Sequence, residues 1–262
     1  MNLMMLLGWK MITKECKSEY KICLSNTAFN CENEIKKTLF SMMAQSYDSW
    51  RAVFIDDVSD DQTAQVVEDI SKSLGMGDRV RVVRREEKFG ETRNTLEEIE
   101  NIEDDEVVCR LDGGDWLTEN DTLFYIDEIY RKYDPGAAWT NHRWSFTANN
   151  ISASLNLKEG QTVYQHPWVS SHLKTFRAKN LKRVPKKNFL DENGDWIMIG
   201  CDQAIFLPMM HMCFQEERNL VHFPLVCYHY NIDLENPNLF KSDRSLKQRD
   251  MALWVRQRGF LD

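Results

Sequence analysis

Residues 20–57, YKICLSNTAFNCENEIKKTLFSMMAQSYDSWRAVFIDD, decide the fold, because two apolar runs flank a helical pattern within them. Tyr20 to Asn26 is short, apolar and bounded by polar residues, which is typical of a buried strand. Glu34 to Gln45 then places apolar residues at helical spacing, and Arg51 to Ile55 is a second apolar run. This stretch predicts a strand, a helix and a second strand.

The same alternation continues downstream of this unit. We predict helices over Gln62 to Leu74 and Thr92 to Ile102, and strands over Arg79 to Val83 and Glu106 to Leu111. Such alternation indicates a parallel sheet covered by helices, and ligands bind outside the carboxyl ends of its strands. The loops expected to carry function are therefore Thr27 to Asn33, Asp56 to Asp61, Arg84 to Arg93 and Asp112 to Asp115.

After Asp121 the alternation fades. The pattern predicts a helix over Leu123 to Tyr130 and strands over Ala137 to Phe146 and Gln161 to Val163. The whole length of 262 residues suits one domain with a large core.

Bulk composition excludes several classes of protein. Lys and Arg number 33 and Asp and Glu 41, giving a formal charge of −8, which argues against binding nucleic acid. Seven cysteines without metal-ligand spacing favour a reducing, cytoplasmic location. Met1 to Gly8 lacks the features of a signal peptide, and no apolar run is long enough for a transmembrane helix.

The acidic turn Asp112-Gly113-Gly114-Asp115 follows the fourth predicted strand. Such residues are common in plain turns, but carboxylates at a strand end are also ligands for Mg²⁺ or Mn²⁺. The two glycines would let a diphosphate approach the backbone closely. The turn is therefore a candidate metal and diphosphate site.

Two further loops carry charge. Asp56-Asp57 ends the second strand, where the carboxylates either cap a helix or accept a hydrogen bond from a nucleobase. The loop from Arg84 to Arg93 is either a solvated charged surface or a phosphate and base contact; its basic residues are Arg84, Arg85, Lys88 and Arg93.

These motifs together resemble family 2 glycosyltransferases of the GT-A fold. Residues 25–63, SNTAFNCENEIKKTLFSMMAQSYDSWRAVFIDDVSDDQT, are similar to that family's opening pattern of strand, Pro-x-Tyr-Asn, helix, Gln-[Ser/Thr]-Tyr, strand and Asp-Asp-x-Ser-x-Asp-x-Thr. Residues 89–94, FGETRN, are similar to its Gly-x-x-x-Ala-Arg-Asn, and residues 110–117, RLDGGDWL, to its D-x-D region. The likeness extends to SSHLKTFRAKNL (170–181), GCDQAIFLPMM (200–210) and VCYHYNIDLENPN (226–238).

The resemblance implies an α/β GT-A fold, with one Rossmann-like mixed sheet flanked by helices. It divides the single domain, 1–262, into a nucleotide-sugar-binding half at about 18–120 and an acceptor-binding half at about 121–262. It assigns Asp202 as the catalytic base. It assigns to the nucleotide sugar Thr27, Ala28, Phe29, Glu32, Asp57, Arg93, Asp112 and Gly113.

The resemblance also implies a divalent cation, Mn²⁺ or Mg²⁺, for which Asp115 and Asp112 are the candidate ligands, with one of them binding the ribose as an alternative. His229 is either a further ligand or a histidine whose hydrogen bonds are satisfied in the core or at the surface. This sequence departs from the family at two positions: Thr27 replaces a proline, and Gly114 replaces the middle carboxylate of D-x-D. We therefore expect Asp115, before Asp112, to be the direct ligand. His166 and His172 are expected in the acceptor cleft or in structural roles, and Trp144, Trp168 and Trp196 either stack on a sugar or pack in the core.

The implied function is transfer of a sugar from a nucleotide-diphosphate sugar to a hydroxyl of a glycan or glycoconjugate, with inversion. A UDP-sugar is favoured, and GDP- or dTDP-sugars stay open. Three alternatives also stay open: a retaining enzyme, a binding module that has lost catalysis, and a sugar-phosphate nucleotidyltransferase. The last lacks support, because no glycine-rich loop follows the first strand.

Overall fold

A computed structural model describes residues 20–145, 147, 149–231 and 242–262 of the chain. The strands within these residues are β1 (Ile22–Ala28), β2 (Trp50–Asp56), β3 (Val80–Arg84), β4 (Val107–Arg110), β5 (Trp116–Leu117), β6 (Ala137–Trp144), β7 (Lys174–Arg177) and β8 (Leu220–Tyr230). The α-helices are α1 (Ile35–Met43), α2 (Thr63–Ser73), α3 (Gly90–Ile99), α4 (Thr122–Tyr133), α5 (Ala178–Lys182), α6 (Cys201–Gln215) and α7 (Asp243–Arg258). A 3₁₀ turn covers Lys186–Phe189.

All eight strands form one mixed sheet in the order β3-β2-β1-β4-β7-β6-β8-β5. The first four strands are parallel, as their alternation with helices predicts. Strand β7 then runs antiparallel to both β4 and β6, and β8 runs parallel to β6 and antiparallel to β5. The sheet is thus parallel in its first half and mixed overall, which confirms the predicted GT-A architecture.

Each face of the sheet has its own apolar core. Alternation along β1 sends Ile22 and Leu24 to the face covered by α1, α2 and α4, whereas Cys23 faces the core that α3, α5, α6 and α7 complete. The six cysteines of the described ranges are free and buried, so they pack as small apolar side chains. No helix of the described residues is long and apolar enough to cross a membrane.

Two sequence predictions are corrected by the structure. The strand predicted over Gln161 to Val163 is wrong, because two consecutive turns occupy the segment: Gln161 N–H donates to the Lys158 carbonyl and Gln165 N–H to the Thr162 carbonyl. Val163 packs in the core on the α6 side of the sheet, which accounts for an apolar residue in this turn segment. The first strand begins and ends two residues later than predicted, so it includes Thr27 and Ala28.

Two predictions reach beyond what the structure describes. Phe146, the predicted end of the strand that begins at Ala137, lies outside the described residues, and so does the segment Met1 to Gly8. Strand β6 ends at Trp144.

Candidate active site

The predicted functional loops meet at the carboxyl ends of β1, β2 and β4. The Gly113 N–H donates to the Thr27 carbonyl at 3.1 Å, and the Asp57 N–H donates to the Ala28 carbonyl at 3.0 Å. A side chain at Gly113 would place its Cβ 2.8 Å from Ala28 Cα, so the acidic turn approaches β1 as closely as backbone allows. Gly114 has φ of 94°, a conformation that favours glycine.

Asp57 is buried and holds the start of α3. Its Oδ1 accepts hydrogen bonds from Phe89 N–H and Asn94 Nδ2, both at 2.8 Å, and its Oδ2 accepts one from Gly90 N–H at 2.9 Å. A carboxylate at a helix N-terminus is stabilised by the unsatisfied N–H groups and the helix dipole. Asp57 therefore fixes the loop of residues 84–93 beside β1, and its predicted contact with a nucleobase stays a prediction.

Two other predicted nucleotide-sugar residues, Glu32 and Arg93, bond to groups outside the acidic turn. Glu32 Oε2 accepts a hydrogen bond from Gln62 N–H at 2.9 Å, which ties the loop after β1 to the start of α2. Arg93 pairs with Glu97 at 2.8 Å, and its guanidinium carbon lies 3.4 Å from the centre of the Phe89 ring. The structure therefore places both residues around the candidate nucleotide site rather than inside the acidic cluster.

Phe29 forms an exposed aromatic surface just after β1. Its side chain is 44% exposed, and the Lys88 ammonium lies 3.1 Å from the ring centre. A flat ring can stack on a nucleobase, and a cation beside it can contact a phosphate. The structure thus brings Phe29 together with one basic residue of the loop 84–93.

The two carboxylates of the acidic turn differ in their surroundings. The Asp112 side chain is half-buried, whereas Asp115 is 4% exposed. Asp115 Oδ2 accepts a hydrogen bond from Tyr228 Oη at 2.5 Å, and Oδ1 accepts one from Asn231 N–H at 2.8 Å. Burial, followed by the charge of Asp112, raises the pKa of Asp115 to about 8. Asp115 therefore joins this turn to the end of β8, and Asp112 is the accessible carboxylate of the turn.

Asp202 reaches the same cluster from the other half of the chain. It lies in the first turn of α6, where its Oδ1 pairs with the Lys174 ammonium at the start of β7. Burial acts against ionisation, but the charge and hydrogen bond of Lys174, together with His172 and Arg110, outweigh it and lower the pKa of Asp202 below its usual range. Burial, followed by the Asp202 charge, raises the pKa of Asp112. The structure therefore brings together the acidic turn and the predicted base.

The sequence alone assigns no role to Tyr228, Tyr230 or Lys174, which surround these carboxylates, and it leaves His172 to the acceptor cleft or a structural role. The His172 ring stacks on Tyr228 and Tyr230, with centroid distances of 4.5 Å and 5.3 Å, and its Nδ1 accepts from Lys174 Nζ at 3.4 Å. Period-2 alternation places the side chains of residues 228 and 230 on one face of β8, which is the signal that could have identified them.

A second missed pair, Glu91 and Arg110, lies beside Asp112. The Arg110 guanidinium is buried and donates to Glu91 Oε1 at 2.5 Å, and it lies 3.9 Å from Asp112 Oδ1. Burial opposes the charge of Arg110 at Glu91 and raises the pKa of Glu91 to about 7. Three acidic groups and two cations thus interact within one cluster; they are Glu91, Asp112, Asp202, Arg110 and Lys174.

The three predicted metal ligands do not converge. His229 stacks on Trp116 with ring centres 3.9 Å apart, and its Nδ1 accepts from Arg143 Nε at 3.2 Å. Side chains alternate along β8, so His229 points away from the face on which Tyr228 contacts Asp115. Both oxygens of Asp115 already accept hydrogen bonds. Among the residues that the structure describes, no three His, Cys, Asp or Glu side chains form a group that could hold a metal ion.

An apolar cleft of about 500 Å³ lies between the segment 191–199 and α7. Two tryptophans and two methionines line it, together with three carboxylates; they are Trp196, Trp254, Met198, Met251, Asp191, Asp195 and Asp250. Gly200, which separates this segment from α6 and Asp202, lies against the backbone of α7. Aromatic faces and carboxylates are groups that can bind a sugar ring and its hydroxyls.

The other predicted aromatic residues and histidines have contacts of their own. Trp168 packs edge-on against Phe206, and the Trp144 indole N–H donates to His142 Nε2 at 3.2 Å. His166 Nε2 accepts from Asn156 N–H at 3.3 Å. Of the three tryptophans singled out in the sequence, only Trp196 lines the cleft.

Comparison with known proteins agrees with this fold. The model of the family Glycosyl transferase family 2 matches residues 27–184, more than half of the chain. The chain therefore belongs to glycosyl transferase family 2, as the sequence motifs predict. Among curated proteins, none matches the chain.

Solved structures share the fold at low sequence identity. TarS from S. aureus is 17% identical with a TM-score of 0.59, over 89% of this chain and 42% of that chain. The complex of TarS 1-349 with UDP-GlcNAc is 15% identical with a TM-score of 0.60, over 92% of this chain and 68% of that chain. The mannosyltransferase PcManGT from Pyrobaculum calidifontis, in complex with GDP-Man and Mn²⁺, is 14% identical with a TM-score of 0.59, over 91% of this chain and 73% of that chain. The chain spans less than half the length of TarS.

Proposed function

We propose that the chain transfers a sugar from a nucleoside-diphosphate sugar to a hydroxyl of a glycan or glycoconjugate, with inversion at the anomeric carbon. One observation carries this proposal: the ionised carboxylate of Asp202 lies in the same charged cluster as Asp112, which belongs to the acidic turn that follows β4 and contacts β1. A donor loop and a proton acceptor are thus combined at the edge of the sheet where such folds bind ligands.

In the proposed reaction, Asp202 accepts the proton of the acceptor hydroxyl. The hydroxyl oxygen forms a bond to the anomeric carbon as the bond from that carbon to the diphosphate oxygen breaks, and the electron pair leaves with the nucleoside diphosphate. The resemblance implies Mn²⁺ or Mg²⁺, but Asp112 is the one accessible carboxylate of the predicted ligands. The described residues do not fit a protein-built metal site, so no step of this proposal runs through a metal.

The loop after β1 supports a nucleotide donor. The exposed Phe29 ring and Lys88 offer stacking and positive charge, while Gly113 leaves room above Ala28 for a diphosphate. A UDP-sugar is our first choice and a GDP- or dTDP-sugar the second, since the solved relatives are complexes with UDP-GlcNAc and GDP-Man.

The tryptophan-lined cleft supports a glycan acceptor. Trp196 and Trp254 can stack on the apolar faces of sugar rings, and the three aspartates can accept hydrogen bonds from hydroxyls. The division of the chain near residue 120 into a donor half and an acceptor half, and a cytoplasmic location, stay predictions.

The experiment compares Asp202→Asn with Asp104→Asn, an exposed carboxylate that pairs with Lys182 away from the acidic cluster. Turnover of a nucleotide-sugar panel is measured by nucleoside diphosphate release, and UDP binding by calorimetry. We expect Asp202→Asn to lower turnover about 10²- to 10⁴-fold, the usual contribution of a general base, with UDP binding unchanged or tighter. Asp104→Asn should behave like the unmodified protein.

The outcomes separate the alternatives. Full turnover by Asp202→Asn would contradict its role as base. Donor binding without any turnover by the unmodified protein would favour a binding module, and release of pyrophosphate would favour nucleotidyl transfer. The anomeric configuration of the product, determined by NMR, distinguishes inversion from retention.

A further inference from the structure

We propose that Lys174 contacts the diphosphate of the donor and supplies the positive charge that the resemblance assigns to a divalent cation. This proposal rests on the proposed function, because it concerns the leaving group of the same transfer reaction. The resemblance includes Lys174 in the stretch 170–181 but assigns it no role, so the proposal does not rest on a sequence motif. It follows from the disagreement between the expected metal ligands and the residues that the structure brings together.

The expected metal site fails at three positions. Gly114 carries no ligand where the family places a carboxylate. The oxygens of Asp115 accept hydrogen bonds from Tyr228 and Asn231, and its side chain is buried. His229 stacks on Trp116 on the other face of β8. A leaving diphosphate nevertheless needs a compensating positive charge.

Strand register places Lys174 where that charge is needed. Lys174 lies opposite Arg110 in the antiparallel pair of β4 and β7, and Arg110 directly precedes Leu111 and the acidic turn. Its ammonium pairs with Asp202, and its charge also acts on Asp112, where it opposes the rise of the pKa. Lys174 therefore contacts the base and lies close enough to the acidic turn for its charge to act on Asp112.

The surroundings of Lys174 fit a phosphate contact. The side chain is only 4% exposed, so its charge is weakly screened by water. An ammonium has three N–H donors, and Asp202 and His172 accept two of them, which leaves capacity for a phosphate oxygen. The stacked rings of Tyr228, His172 and Tyr230 hold this part of the site in place.

Because Asp202 and the diphosphate would share the Lys174 ammonium, donor binding would be coupled to catalysis. In the free protein the ammonium neutralises Asp202, which makes that carboxylate a weak base. A diphosphate that draws the ammonium toward itself weakens this ion pair, and a buried carboxylate that loses its cation binds a proton more readily. Donor binding would thus prepare Asp202 to accept the proton of the acceptor hydroxyl.

The test measures binding of UDP, UMP and inorganic pyrophosphate by calorimetry, in EDTA and in Mn²⁺. The proteins are the unmodified chain, Lys174→Met and the control Lys182→Met, whose ammonium pairs with Asp104 away from the acidic cluster. We expect the unmodified chain to bind UDP in EDTA. Lys174→Met should weaken UDP and pyrophosphate binding about tenfold or more, the loss expected for one charge-assisted hydrogen bond, and UMP binding much less. Lys182→Met should bind all three as the unmodified chain does.

A double variant covers the case in which Lys174→Met leaves Asp202 unpaired and unfolds the protein. Lys174→Met/Asp202→Asn removes both charges, and its binding is compared with that of Asp202→Asn. The proposal is overturned if UDP binding to the unmodified chain requires Mn²⁺, or if the lysine variants bind UDP within about twofold of their parents, a change too small for a lost ionic contact. Either result leaves the proposed function standing when the unmodified chain still transfers sugar, whereas full turnover by Asp202→Asn contradicts the proposed function alone.

Discussion

The two halves of the chain contribute different groups to one edge of the sheet. The first half, residues 20–120, contributes loops that follow directly from parallel strands, and its carboxylates dominate the cluster: Glu91, Asp112 and Asp115. The second half, residues 121–262, contributes the ammonium of Lys174 on β7, the carboxylate of Asp202 on α6 and the hydroxyl of Tyr228 on β8. Each half pairs its buried cation with a carboxylate of its own, Arg110 with Glu91 and Lys174 with Asp202. Asp115, however, accepts both of its hydrogen bonds from the second half, so the site is complete only when the halves pack together.

Arg110 is the buried cation of the first half, and its replacement is the most severe test of the comparison between the two halves. Its buried guanidinium donates to Glu91 and Thr95 and lies near Asp112. Removing one partner of a buried ion pair usually costs about 3–5 kcal/mol of stability. We expect Arg110→Met to lower the free energy of unfolding in urea by this amount, because Glu91 and Asp112 then depend on Lys174 alone.

A double variant provides the control for Arg110→Met. Arg110→Met/Glu91→Gln also removes the carboxylate that is left unpaired, and it should recover about half of the lost stability. Equal stability of the single and double variants would mean that Arg110 acts through packing rather than charge. The cluster would then be balanced by the second half alone.

The first half was largely predictable from the sequence, and the second half was not. Four strands and three helices of residues 20–111 follow from local periodicity, and their order fixes which loops share an edge. Lys174, by contrast, acquires its partner Asp202 through an antiparallel register between two four-residue strands and the start of α6. Local sequence carries no signal for such pairing.

His229 shows how a single position along a strand changes a functional prediction. The motif Tyr228-His229-Tyr230 directed attention to the histidine as a metal ligand, but β8 alternates, and its tyrosines face the acidic turn. The facing imidazole comes instead from His172, before β7. The resemblance located the correct strand, and the direction of each side chain required the register of the sheet.

The second half also holds a buried imidazole whose pH dependence can be measured. Burial, followed by the charge of Lys174, lowers the pKa of His142 to about 4. Its Nε2 accepts the Trp144 indole N–H at 3.2 Å, a bond that a protonated ring cannot accept. Its stabilising contribution is therefore present above the pKa of about 6.5 of the unfolded chain and is lost as pH falls through about 4.

We expect His142→Gln to reduce the loss of stability on acidification by roughly 2 kcal/mol between pH 7 and pH 4.5. Urea unfolding at several pH values measures it, with His166→Gln as the control histidine variant. Parallel pH profiles for His142→Gln and the unmodified protein would contradict the prediction. A reduced effect in Lys174→Met would show that the lysine imposes part of the shift.

Phe29 offers the smallest and most local test of the donor half. Phe29 and Phe40 are both exposed aromatic residues, 44% and 51%, but Phe29 follows β1 beside Lys88, whereas Phe40 lies on α1. If a nucleobase stacks on the first ring, Phe29→Ala should weaken UDP binding by about 1 kcal/mol, roughly fivefold, because stacking contributes this order of free energy. Phe40→Ala removes a similar exposed ring and should leave UDP binding unchanged. Calorimetry on both variants decides the point, and the effect should appear equally with UMP, since stacking involves the base and not the second phosphate. Equal affinities for the two variants would place the nucleobase elsewhere along the loops, and would leave the diphosphate contacts of the second half as the main source of donor affinity.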